Sequence, residues 1–579
     1  FIIGLLLCSY TWADGSRYAS KSLLSEGKWV KIRVDKTGIY KLSYADLKNM
    51  GFSDPSKVSV HGYGGWPLDE DFSKEYIDDV PSTPVWRGSD YLLFYGKGPV
   101  KWEYDSSSQT FVHTNNPYSL YGYYFVTDAT PTNDMTSVTQ ASGASTRITT
   151  YDDYLLHEQE LVSVNQSGRE FFGEDFSGAR PRTISTFSSI PGITDADGKV
   201  TMRFISRINS GSGTASLSIN DSELLDITIP SIQTVSSNVR SYTKAIPGTT
   251  TALWKGSKSE KNNVVVSYSS SGHTNVRLDY IRMQFVRTLR PYGACTFFRS
   301  LTSVGNASRF VISEANSNTL VFDVTDALNV KRVEADLNGS ELSFTIPAGR
   351  LREFVLVQTN QTFPSPEVVG EVASSNLHGL EQRDMIIISA PSLVQQAERL
   401  AVAHREKDGL TVEVVTPEAI YNEFSSGTPD ATAYRRLMKM FYDRSSSLGN
   451  PPKYLLLFGD GIYDNRGISG EVQGVSRSNM LLTFQSQESL NVYSYATDDY
   501  FAFLEDNSGS NFSRDKMCLG VGRFPIRTVT EATQMVDKTI SYMENKDSGS
   551  WKNNVTFVAD DGNNEDNSGS NFSRDKMCL

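Results

Sequence analysis

The chain has 579 residues, too many for one hydrophobic core, so two to four domains are expected. Hydrophobic residues at 39% and charged residues at 21% are those of an ordinary globular protein. The 55 basic and 67 acidic side chains leave a net charge of −12, which argues against a nucleic-acid-binding surface and suits solubility or cation binding.

Residues 1–13, "FIIGLLLCSYTWA", read as the hydrophobic core and cleavage region of a partial secretory signal peptide without its basic start. The apolar run is too short to span a bilayer as a helix. Lipidation at Cys8 is not expected, because Leu7 is too bulky for a lipoprotein cleavage site. Export permits disulfides, yet the chain has only four cysteines and neither a disulfide framework nor a CxxC metal site.

Residues 14–128 are dense in aromatics and turns and predict an N-terminal β domain. Within it "WVKIRVDKTGIYKLSYADL" alternates and turns at Thr37-Gly38, which predicts a β-hairpin. Residues 129–150, rich in Thr, Ser, Ala and Asp, read as a linker. From 151 to 368 short alternating strands recur between Gly, Asn and Ser turns, which predicts a β-sandwich closed by the Pro-marked "FPSPEVVG".

From 377 to 564 the pattern changes to apolar strands ("DMIIISAP", "LTVEVVT", "KYLLLFGDG", "KMCLGVGRFP", "NNVTFVADDG") alternating with helical segments. A helix is expected over 392–408, another from Pro417, another from Asp430 with Tyr434, Leu437, Met438 and Phe441 inward, and one capped at Thr530. This predicts a mostly parallel α/β sheet. The fold class is therefore multidomain: two N-terminal β-rich domains, the second a β-sandwich, then a truncated α/β domain.

Ligands of such sheets gather outside the carboxyl ends of the strands. Those ends carry Asp460 and Asp464 ("FGDGIYDNR"), Asp498 and Asp499 ("ATDDYF"), Arg523 ("GVGRFP"), and Asp560 and Asp561 ("VADDG"). Clustered hard oxygen ligands suit calcium, so Asp460, Asp464, Asp498 and Asp499 are the candidate metal ligands. The same residue type also caps helices and turns. "GDGIYDNRG" does not fill an EF-hand loop, and "FGDG" and "GVGRFP" are too poor in glycine to cradle phosphate.

Cysteine-based peptide chemistry needs a thiolate within reach of an imidazole. Cys295 ("YGACTFF") and Cys518 ("KMCL") lie in or beside strands and read as core residues. The six histidines, His61, His113, His157, His273, His378 and His404, are scattered. His378, in "LHGL", precedes its strand and so stands at the wrong end for a carboxyl-end site.

Two sets of motifs carry a resemblance. "YLLLFGDGIYDNR", "ATDDYFAFLED", "LGVGRFPIRTVTEATQMVDKTISYME" and "WKNNVTFVADDGN" resemble the N-terminal half of the gingipain-like cysteine peptidase domain. "WVKIRVDKTGIYKLSYADLKNMGF", "GYGG", "DYLLFYGKGPVKW" and "NPYSLYGYYFVTD" resemble the leader region of the sortases of type IX secretion systems within that family. The resemblance implies a Cys–His peptidase that removes C-terminal signal domains from secreted cargo and attaches the cargo to lipopolysaccharide. It implies outer-membrane secretion-system partners and a place on the surface of a Gram-negative cell. A plain endopeptidase and a non-catalytic envelope-binding protein are the alternatives.

The family's catalytic His stands in Gly-His-Gly and its Cys follows a later strand, both beyond "VADDGN". No match to either motif occurs here, so no catalytic residue is assigned and the chain itself is expected to be inactive. Residues 565–579, "EDNSGSNFSRDKMCL", repeat residues 505–519 without a change. An identical, partial copy is unlike a structural repeat, which diverges and encloses a whole unit. The copied tail is expected to be a sequence-assembly artefact, and to pack loosely.

Overall fold

The computed structural model describes residues 17–556, except 75, 179, 233–242, 271–272, 471–476, 492 and 547. The signal-like segment, the copied tail, Asp560 and Asp561 lie outside the described residues.

In the leader domain both expected strands form, Val30–Val34 and Gly38–Ser43, but they do not pair as a hairpin. Val30–Val34 lies between Gly122–Thr127 and Glu367–Glu371 in a five-stranded sheet, whereas Gly38–Ser43 pairs with Tyr91–Gly96 in a three-stranded one. Val30, Ile32 and Val34 share one core with Tyr40, Leu42 and Phe94, so the two strands stack across that core instead of lying side by side. The sheet also corrects a boundary. Strand Glu367–Glu371, read as the end of the sandwich, returns to edge the leader sheet, with Val368 opposite Ile32.

The region 151–368 holds two sandwiches, not one. In the first, a sheet ordered 150–158, 273–288, 198–208, 246–254 faces one ordered 182–183, 264–269, 212–219, 222–230. Val200, Met202 and Phe204 meet Leu217, Ile227 and Val266 in its core. The second sandwich encloses Phe298, Phe310, Phe344 and Phe354, whose rings lie 5.2 to 6.3 Å apart. Strands Ser137–Val138 and Thr146–Ile148 join it, so the supposed linker contributes to a core. Alternation shows that each strand has an inner face but not which core that face serves.

The C-terminal unit is a four-stranded, wholly parallel sheet in the order Val412–Val415, Met385–Ser389, Tyr454–Phe458, Gly520–Phe524. All five residues of Met385–Ser389 are buried, as expected for a strand covered on both faces. Helix Val394–Lys407 ends before Gly409, which takes φ +66°. It lies beside helix Val529–Met543, to which it is tied by Arg399–Asp537 (2.6 Å). Asp430 caps helix Ala431–Leu448 by accepting from the Thr432 amide at 2.8 Å. Thr530 is not the cap of the last helix. Thr528 is, in a capping box with Glu531.

The leader docks on this unit through the loop after helix Pro417–Phe424. Ser426 Oγ accepts from the Tyr63 amide (2.9 Å) and donates to the Tyr123 carbonyl (3.1 Å), and Thr428 Oγ1 donates to the Gly64 carbonyl (3.0 Å). Gly62 sits at φ +115° with the space for a Cβ already taken by Ser426 Oγ, so this approach requires glycine. Lys31, buried on the leader sheet, reaches Glu418 (2.9 Å) and Asn422 (3.0 Å).

Candidate functional site

Each parallel strand delivers its following loop to the same end of the sheet, which gathers the predicted polar residues there. After Tyr454–Phe458 the chain turns at Gly459 and runs through Asp460 to Asp464. The Asp464 side chain is fully buried. Its carboxylate accepts from the amides of Gly467 (2.8 Å), Ile468 (3.1 Å) and Ser469 (2.7 Å), from the Ser469 hydroxyl (2.6 Å) and from Arg477 (3.2 Å). Burial opposes its charge, but these donors outweigh burial and hold the carboxyl below its ordinary range.

Asp498 is gripped by Arg523 through two parallel bonds of 2.8 and 2.9 Å. The same guanidinium donates to the carbonyls of Gly459 and Leu482 at 3.2 Å, lacing three loops together at the end of strand Gly520–Phe524. Asp460 pairs with Arg527 at 2.5 Å. Asp499 is exposed, at the start of the short helix Asp499–Ala502. Of the four candidate calcium ligands, Asp460, Asp464 and Asp498 thus have separate counter-ions, and Asp499 stands exposed. Among the described residues no group of three or more His, Cys, Asp or Glu could hold a metal. Sequence reading found the acids and Arg523 but missed Arg477 and Arg527, because nothing in their spacing marks them as counter-ions.

Neither described cysteine meets an imidazole. Cys295 packs half-buried against the leader and second-sandwich cores, and burial pushes its thiol up to about 12. Cys518 packs beside the α/β core with its thiol 3.8 Å from the Lys516 carbonyl. The histidines are engaged elsewhere. His113 and His157 meet Glu158 and Glu174 at 3.1 and 2.7 Å, and His404 meets Asp408 at 2.6 Å. His61 bonds to Val80 and Thr130, and His273 to the Ser177 carbonyl.

His378 is the most constrained. It is fully buried, stacked on Phe424 at 4.6 Å, with Nδ1 2.7 Å from Glu423 and Nε2 3.0 Å from Asp78 of the leader. Burial disfavours the imidazolium, but the two carboxylates outweigh it and push the pKa to about 9. It is a charged strut between leader and α/β unit, at the end of the sheet that sequence reading assigned it.

A family model, peptidase family C25, matches residues 378–577. The crystal structure of dimeric latent PorU from Porphyromonas gingivalis is 38% identical, covers 94% of this chain and superposes with a TM-score of 0.83. The match takes in 52% of PorU, so the chain spans about half the length of that relative. A CBM35 module from Cellvibrio japonicus aligns with 24% of this chain and 97% of its own at 15% identity, but its TM-score of 0.14 carries no argument. No curated protein matches the chain. The C25 match begins at His378, just ahead of the parallel sheet, and the PorU match extends through the β domains: the chain carries a peptidase C25, gingipain-like, domain and is built like PorU over 94% of its length.

Proposed function

We propose that the protein serves as a sortase of a type IX secretion system, held at the outer surface of a Gram-negative cell among outer-membrane secretion-system proteins. The observation that carries this reading is a 38% identical match to PorU that takes in the β domains as well as the peptidase domain. In this chemistry a thiolate attacks the peptide bond that precedes a cargo's C-terminal signal domain, giving a thioester and releasing the signal domain's amine, protonated by an imidazolium. An amine of lipopolysaccharide then attacks the thioester, forms an amide and restores the thiol. The described residues act in this reading as the scaffold: the parallel sheet, its laced strand ends and the β domains docked on it.

The test uses the protein isolated from the cell envelope, with a cargo ending in a signal domain, in ¹⁸O-water with lipopolysaccharide present. Cargo recovered as an amide conjugate without ¹⁸O is the expected product. An ¹⁸O-carboxylate at the new terminus would make the protein a plain endopeptidase. Uncleaved cargo would leave a non-catalytic envelope protein.

A further inference from the structure

A cleft of about 690 Å³ lies where leader, first sandwich and α/β unit meet, a volume in the range of small-molecule sites. Most charges on its walls are matched. Arg466 pairs with Glu160, Arg203 with Asp279 and Glu170, Arg169 with Glu70 at 2.7 Å, and Lys101 with Glu103 at 2.8 Å.

Lys97 breaks the pattern. It is only 8% exposed, lines the cleft, and its ammonium has neither a hydrogen bond nor an ion pair among the described residues. Nζ stands 4.3 Å from the Trp66 indole face, Lys101 Nζ stands over the same ring at 5.9 Å, and Asp326 is the one carboxylate that favours the Lys97 charge, without pairing with it. A cation–π contact returns about 0.5–2 kcal/mol. Removing an ammonium from water costs several kcal/mol even after relaxation. The indole alone therefore does not offset the burial, and a second cation beside it raises the cost. Arg282 and Arg436 on the same walls, 8% and 5% exposed, form no ion pair among the described residues, but Arg282 donates to the Phe111 carbonyl and the Tyr280 hydroxyl, and Arg436 donates to the Phe424 carbonyl and favours the Asp430 carboxylate.

We propose that this cleft binds an oxyanion, a carboxylate or a phosphate, seated on Lys97 Nζ with Lys101 beside it and the Trp66 ring beneath. An oxyanion supplies the acceptor and the charge that Lys97 lacks, and the surrounding ion pairs hold the lysine in place. Burial and Lys101 bring the Lys97 ammonium down to about 8, although Asp326 favours its charge. The inference does not rest on the peptidase reading, since the assay below reads binding and no cleavage.

The test compares melting temperatures of the chain in phosphate, in succinate and in sodium chloride of equal ionic strength, for wild type and Lys97→Met, which keeps an unbranched apolar side chain there without the charge. Wild type should be stabilised by phosphate or by succinate relative to chloride, with Lys97→Met losing that shift. The anion that acts names the ligand chemistry. No shift in wild type, or an equal shift in Lys97→Met, would overturn the proposal. Should the variant not fold, acetylation of Lys97 by a water-soluble acylating reagent decides. Slower modification in the stabilising anion upholds the site, and an unchanged rate refutes it.

Discussion

His378 joins segments 300 residues apart in sequence, with Asp78 on one nitrogen and Glu423 on the other. Its folded pKa of about 9 lies above its ordinary 6.5, so its contribution to stability is complete below pH 6.5 and fades as pH rises through 9. His378→Gln should cost about 3–5 kcal/mol at pH 6.5, because Glu423 is left buried without its cation. Denaturant unfolding from pH 6 to 10 checks both: wild type should weaken toward pH 10, and the variant should lose that part of the slope. At Asp464 the sign is reversed. Its carboxyl is held low, so its contribution is present above the ordinary carboxylate pKa and lost as pH falls through the lower folded value. Asp464→Ala strands three amides, a hydroxyl and Arg477, and should cost about 2–3 kcal/mol by denaturant midpoint at pH 7. A calcium ion at Asp464 would have to displace donors already in place. The sequence displays the acids, but their counter-ions come from loops whose positions only the fold sets.

Among elements, what was legible is what periodicity and caps encode locally. The parallel strands, the inward face of Ala431–Leu448 and the Asp430 cap all follow from side-chain spacing. The last helix shows where that logic needs geometry. Sequence reading placed the cap at Thr530, yet it is Thr528 that has its Oγ1 on the amide of Glu531, which returns the bond. Thr528→Ala should cost about 1 kcal/mol, and Thr530→Ala, one turn-position inside the helix, should be near neutral. Paired denaturation curves distinguish the two. The failed hairpin has a different cause. A three-residue link, 35–37, joins Val30–Val34 to Gly38–Ser43, but each strand finds better partners far away, so connection did not become pairing. Likewise, alternation could not separate two adjacent sandwiches that share the long strand pattern.

For the whole molecule, the strand Glu367–Glu371 closes the leader sheet only after both sandwiches have been traversed, so the leader domain is not continuous in sequence. Lys31, Ser426, Thr428 and His378 then fasten the leader to the α/β unit with buried polar contacts. In this account the described residues are a scaffold that positions chemistry, and neither of their cysteines is a nucleophile. Cys295 is half-buried with a raised thiol pKa, and Cys518 has no imidazole partner among the described residues. The direct measurement is incubation of the folded chain with a thiol-directed peptide inhibitor, followed by mass spectrometry of each cysteine. The account predicts no stoichiometric adduct at Cys295 or Cys518 until the chain is unfolded, and a stoichiometric adduct at Cys518 in the folded chain would contradict it.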